Sequence, residues 1–204
     1  MISYNTSELS QKAMKKLLIG AINRPIALVG TQSTAGDFNL GPFSYFNIAS
    51  FHPPVISLAI QRKEDGTHKD TARNLLEQGE ASVHIVNEAT VSDANQTAAS
   101  LPYGESELSR TAFKPVTSQT IQVPYLKEAP IVYEARYLTH QTIHAAEQAT
   151  ADVFLLQIQR VHLSQEVYDE ATGYVDYARL KPVTRLAGND YATLGEIFQV
   201  ERPD

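Results

Sequence analysis

Between residues 8 and 19 the apolar positions Leu9, Ala13, Met14, Leu17 and Leu18 recur at helical spacing, and Gly20 follows them. This predicts a short amphipathic helix that stops at the glycine. After Arg24 and Pro25 the spacing changes. IALVGT (26–31) is a β-rich run, residues 33–39 hold Gly36 and Asp37 in a turn-like stretch, and FSYFNIAS (43–50) is the return arm. Behind Pro53 and Pro54, VISLAIQ (55–61) sets Ile56, Leu58 and Ile60 in alternation with Ser57 and Ala59. That is the pattern of a half-buried strand, with Ser57 an ordinary strand position. A polar loop (62–69) leads into a helix whose start is marked by Thr67 and Asp70 at capping-box spacing, whose end is marked by Gly79, and whose buried side carries Ala72, Leu75 and Leu76. ASVHIVN (81–87) predicts another strand, residues 88–100 a helix that ends before Pro102 and Gly104, and residues 131–139 and 152–163 two long strands.

Strands dominate, and the helices do not alternate with them as a doubly wound parallel sheet requires. The expected fold class is therefore mainly β: a closed antiparallel barrel with peripheral helices. No internal repeat, low-complexity tract or linker divides the chain, so residues 1–204 are expected to form one domain, and 43% hydrophobic content supplies a real core.

Charge and composition narrow the chemistry. A formal charge of −6 leaves no broad basic face for nucleic acid, so any cationic site is local. With no cysteine, disulfides, Cys-ligated zinc, iron–sulfur clusters and thiolate nucleophiles are excluded; redox work then needs an organic cofactor, and a reducing cytoplasm is the expected location. The apolar run 17–22 is too short for a signal-peptide core or a membrane span, so neither is expected. The chain lacks G-x-G-x-x-G, G-x-x-x-x-G-K and G-x-S-x-G, which argues against a Rossmann site, a P-loop and a hydrolase elbow. His140 and His144 have metal-ligand spacing for a helix, but LTHQTIH reads as a strand end and a turn. On a strand they would stand roughly 13 Å apart, too far to share one ion. His84 is an ordinary strand histidine, and Tyr168, Tyr174 and Tyr177, beside Asp169, Glu170 and Asp176, are surface packing.

Two segments carry more. RKEDGTHKDTAR (62–73) places four basic side chains beside a helix start, where free N–H groups and the positive end of the helix dipole favour an anion. Arg62 and Lys69 supply charge for a phosphate and Thr71 a hydroxyl; the same residues also suit a capped surface helix. NLGPFSYFNIAS (39–50) alternates aromatics with Ser44, Asn47 and Ser50, which offers ring faces, hydroxyls and backbone donors to a flavin, or packs Phe43, Tyr45 and Phe46 as a plain strand.

Taken in order, NRPIALVGT, NLGPFSYFNIASFHPPVISLAI, the stretch ending KDTARN, and LKPVTRLAGNDYATLGEIF resemble the flavin reductase-like, FMN-binding split-barrel family, in particular its flavoredoxin-like branch. The resemblance implies an antiparallel Greek-key split β-barrel, a homodimer, and FMN near the subunit interface. It implies that Ser44, Tyr45, Phe46 and Asn47 line the flavin, that Ser50 lies near the ribityl phosphate end, and that Arg62, Lys69 and Thr71 bind the phosphate. Asn23 stands where a second proline often precedes R-P, and Leu108 replaces a commonly aromatic residue after Glu107. The activity implied is hydride transfer from NADH or NADPH to flavin N5 without a catalytic side chain. Its alternative is an electron carrier with permanent FMN. A redox partner protein or monooxygenase would accept the electrons.

Overall fold

The computed structural model describes residues 1–203. Seven strands form the main sheet: β1 (Ala27–Gln32), β2 (Phe38–Phe43), β3 (Phe46–Phe51), β4 (Pro54–Gln61), β5 (Glu80–Ile85), β6 (Ile131–Ala145) and β7 (Gln148–Leu163). Their order is β2-β1-β5-β6-β7-β4-β3, and every pairing is antiparallel. The expected mainly β, antiparallel class is the one observed. A separate three-stranded sheet joins Arg24–Pro25 to Val183–Arg185 and Tyr191–Thr193, which ties the segment before β1 to the C-terminal arm.

The two edge strands, β2 and β3, are consecutive in sequence and separated only by Ser44 and Tyr45. The expected single return arm is therefore two strands with a bend between them. Tyr45 leaves the ladder, but its carbonyl still accepts the Ala59 N–H at 2.8 Å, so the bend stays pinned to β4. This break is what exposes the aromatic and hydroxyl side chains of the segment.

Alternation places the core. Along β1, Ala27 and Val29 enter a cluster with Ile56, Leu58, Ile60, Leu75 and Phe154, whereas Leu28 points to the other face with Leu40, Val86, Phe113 and Leu126. Both faces of β1 are covered, which explains its unbroken apolar run. Gly30 sits where the sheet has no room for a side chain, because a Cβ there would lie 2.5 Å from Ser82 Oγ and 2.8 Å from Phe38. In β4 the residues Ile56, Leu58 and Ile60 are buried as the period-2 pattern predicts.

The helices depart more from expectation. Helix α1 spans Gln11–Ala21 with Ser10 as its cap; it contains Gly20 instead of stopping at it, and it buries no residue. Helix α2 (Asp70–Gln78) ends at Gly79 in the left-handed region (φ 71°), as read from sequence. Its start is different: Lys69 occupies the N-cap with no side-chain bond, and the Thr67 hydroxyl is bonded to Asp65 at 2.6 Å, so no capping box forms. Ala72 and Leu75 are buried, but Leu76 is exposed and the polar Thr71 and Asn74 are buried instead. Helix α3 covers only Val91–Gln96, because Asn87 and Thr90 bond each other's backbone N–H groups and close a turn first. Strand β6 continues past Thr139 to Ala145, so His140 and His144 lie on an extended strand, with His140 Nδ1 bonded to Tyr137 Oη at 2.8 Å. Among the described residues no helix is long and apolar enough to cross a membrane.

Candidate functional site

A groove of about 1530 Å³ runs between α1, the Ser44–Tyr45 bend, the outer face of β4 and the start of β7 at Gln148–Thr150. Small-molecule sites are typically about 300–1000 Å³, so the groove has room for a planar ligand and a second ring on its open side. Five of the eight expected site residues, Ser44, Tyr45, Phe46, Asn47 and Arg62, line it. Asn47 Oδ1 accepts the Ile48 N–H at 2.8 Å, which leaves its amide NH₂ without a partner among the described residues. Ser57, read from sequence as an ordinary strand position, also lines the groove, and its hydroxyl donates to the Asn47 carbonyl at 3.3 Å. The register Asn47↔Ser57 between β3 and β4 brings them together, a pairing that needs the bend to be known first.

On a chain of net charge −6, this groove is cationic. Lys12, Lys15, Arg24, Arg62 and Lys63 line it against a single acid, Glu64. Lys69 stands beside it rather than in its wall. Its side chain is exposed, yet desolvation around the ammonium lowers its pKa below the ordinary lysine value, and the charges of Lys15 and Lys63 lower it further. Three lysines therefore crowd one end of the groove, and among the described residues only Lys63 has a carboxylate partner, Asp70 at 3.4 Å. Such a cluster suits an anionic ligand group.

Arg62, Thr71 and Ser50 each already have a partner within the chain. Arg62 lines the groove but grips the fully buried Asp152 with two bonds, Nε to Oδ2 at 3.0 Å and Nη2 to Oδ1 at 2.9 Å, and donates a third to the Gly66 carbonyl at 3.1 Å. Burial pushes the Asp152 carboxyl up, but the bonds from Arg62 and from the Thr142 hydroxyl outweigh it and hold the group below the usual carboxylate range. Two of the five Arg62 N–H groups remain for another acceptor. Thr71 is buried, and its Oγ1 accepts from Asn39 Nδ2 at 2.9 Å, within a network that also joins Thr31 and Asn74. Ser50 lies outside the groove wall and its Oγ accepts the His52 N–H at 3.2 Å.

One contributor was not singled out from sequence. Arg24 is buried, its Nη1 donates to Ser44 Oγ at 2.8 Å, and its Nη2 donates to the Leu186 carbonyl at 2.7 Å, while its guanidinium lies 5.8 Å from the Tyr45 ring centre. Its Nε is buried without a partner, and no carboxylate pairs with it among the described residues. An uncompensated buried cation is costly unless an anion or an electron-rich group faces it. The Arg24 guanidinium with no carboxylate beside it, the unpaired Asn47 NH₂ group and the lysine cluster suit a phosphorylated, carbonyl-rich planar cofactor such as FMN, so the residues present fit that group.

Fold and groove together define a mainly β, split-barrel protein whose cationic groove has the shape and charge to suit an anionic planar ligand. The chain belongs to the flavin reductase-like family: the family profile described as flavin reductase like domain matches residues 19–181. An uncharacterized Bacillus subtilis (strain 168) protein, YwrF, is 45% identical over 205 residues, covering 100% of both chains. Among solved structures, nitrilotriacetate monooxygenase component B from Bacillus cereus superposes with a TM-score of 0.94 at 40% identity over 98% of each chain. The Pseudomonas fluorescens 2-nitrobenzoate 2-nitroreductase does so at 0.87 and 25% identity, over 99% of this chain and 96% of its own.

Proposed function

We propose that the chain acts, as one unit, as an FMN-binding oxidoreductase of the NAD(P)H-dependent flavin reductase kind. The observation that carries this reading is the carboxylate-poor cationic groove built on the Ser44–Asn47 bend. Ser44, Tyr45, Phe46 and Asn47 hold the ring system through hydroxyl and amide donors and aromatic faces. Lys69, with Lys15 and Lys63 beside it and the two remaining Arg62 N–H groups, takes the phosphate; Thr71 supports that end from beneath through Asn39. FMN, when bound, supplies the hydride-accepting and electron-passing chemistry. The protein positions the ring, offers donors to its pyrimidine edge and limits water; no side chain need act as acid or base.

A monooxygenase partner is the proposed recipient of the reduced flavin, in keeping with the monooxygenase-component name of the Bacillus cereus neighbour. The cytoplasm is the proposed location, and a homodimer the proposed working form. Helix α1 buries nothing in the single chain, and Phe51 on the edge strand β3 is 85% exposed. A second copy covering these surfaces would enclose the groove.

Rapid anaerobic mixing of the FMN-loaded protein with NADH or NADPH tests the reading. Bleaching of the flavin absorbance by one of the two supports a reductase. Bleaching by a reduced protein donor alone would replace it with a carrier.

A further inference from the structure

Arg24 and Ser44 form an arrangement with a consequence for ligand choice. A guanidinium only donates, and Arg24 Nη1 meets Ser44 Oγ at 2.8 Å, so the hydroxyl is the acceptor in that bond. Its own proton must go elsewhere. No acceptor among the described residues receives it, and Ser44 is partly exposed in the groove wall, so the proton is presented to the groove. The positive charge behind the oxygen polarises that O–H, which strengthens it as a donor. Arg24 is itself fixed at a distance, through the Leu186 carbonyl at 2.7 Å and through Thr184 Oγ1, which donates to the Arg24 carbonyl at 3.0 Å. The donor is thus pre-aimed by contacts that no ligand needs to supply.

We infer that Arg24 is a positioning residue that sets Ser44 as a polarised hydrogen-bond donor toward the groove, so that the pair binds reduced flavin more tightly than oxidised flavin. The inference rests on the flavin reading above. Its chemistry is that two-electron reduction places added negative charge on the pyrimidine edge of the isoalloxazine. A donor backed by an uncompensated buried cation gains more from that charged edge than from the neutral one. By linkage, a tenfold preference for the reduced form raises the two-electron midpoint potential by about 30 mV.

The test measures two quantities on the whole chain: the dissociation constants of oxidised FMN and of dithionite-reduced FMN under anaerobic conditions, and the midpoint potential of the bound flavin. Arg24→Gln is expected to lower the preference for the reduced form about tenfold and to move the potential about 30 mV more negative. Ser44→Ala, which leaves the buried guanidinium untouched and keeps the test usable should Arg24→Gln fail to fold, is expected to move it in the same direction. In the double variant the two shifts should not add, because one acts through the other. A purely structural role would weaken both redox forms equally and leave the potential where it is. An unmoved potential in Ser44→Ala with wild-type flavin uptake intact overturns this inference alone, whereas a wild-type protein that takes up neither form overturns the flavin reading itself.

Discussion

Acidification should destabilise the protein through His84. The ring is buried on β5, with Nδ1 2.8 Å from the Leu28 carbonyl and Nε2 3.0 Å from the Leu126 N–H. Because the Leu126 N–H donates, Nε2 is the bare nitrogen and the ring proton sits on Nδ1, facing Leu28. A second proton would set two donors against each other and bury a charge. Desolvation accordingly lowers the ring from its ordinary 6.5 to about 4, against the opposing pull of the Leu28 bond. The unfolded chain keeps the ordinary value, so it takes the proton first. The His84 contribution is complete above pH 6.5, is lost as the pH falls from 6.5 toward 4, and levels off below that. At about 1.4 kcal/mol per pH unit the loss across this window totals about 3 kcal/mol. Denaturant unfolding at pH 7 and pH 4, on wild type and His84→Gln, isolates it: wild type should lose about 3 kcal/mol more than the variant, which keeps a donor and an acceptor but does not titrate. Glu134 does not confuse the result. Burial raises its carboxyl, but bonds from Thr120, Gln119 and His162 bring it down to about 2, so its contribution is lost only as the pH falls below 4.5. Equal losses in the two proteins, or a ring that titrates near 6.5 by NMR, would refute the assignment.

Lys69→Ala should weaken FMN binding about 10- to 150-fold, the equivalent of one charge-assisted hydrogen bond, while Lys127→Ala, an exposed lysine outside the groove, leaves it unchanged; isothermal titration reads both. Arg62→Ala should cost about 3–5 kcal/mol of unfolding free energy by stranding the buried Asp152, and the paired change Arg62→Met with Asp152→Leu should restore most of it in the same denaturant assay. Sedimentation over a dilution series should show FMN shifting the chain toward dimer, since a ligand held by the dimer stabilises it by mass action; a monomer at every concentration with flavin fully bound would remove the second copy from the site.

Period-2 alternation was enough to place Ile56, Leu58 and Ile60 in the core, because a strand with one buried face reports that face directly in its sequence. Gly79 was legible for a similar local reason, since the left-handed cap it forms favours glycine. What escaped the sequence depends on distant partners. The strand break at Ser44–Tyr45 follows from the pinning of Tyr45 by Ala59 and of Ser44 by Arg24, and Arg24 is in turn held by a carbonyl 162 positions away. Ser57 looked like an ordinary outward position and is one, but outward on β4 is the groove. Thr67 matched a capping box and was drawn instead to Asp65, two residues away, a shorter loop to close. Thr71 and Arg62 were read as phosphate residues from the helix start and again from the resemblance, and the structure gives each a partner of its own, Asn39 and Asp152. Lys15 carries no local sign of its role, because its place near Lys69 depends on where α1 lies.

The most direct measurement of the central claim is the stoichiometry and affinity of FMN and riboflavin for the apo protein, alongside Asn47→Leu. A phosphate-anchored flavin groove predicts one FMN per chain, riboflavin bound about 10- to 150-fold more weakly, and reduced uptake of both by the Asn47 variant, whose groove-facing amide is gone. Equal affinities for FMN and riboflavin, with Asn47→Leu indistinguishable from wild type, would contradict it.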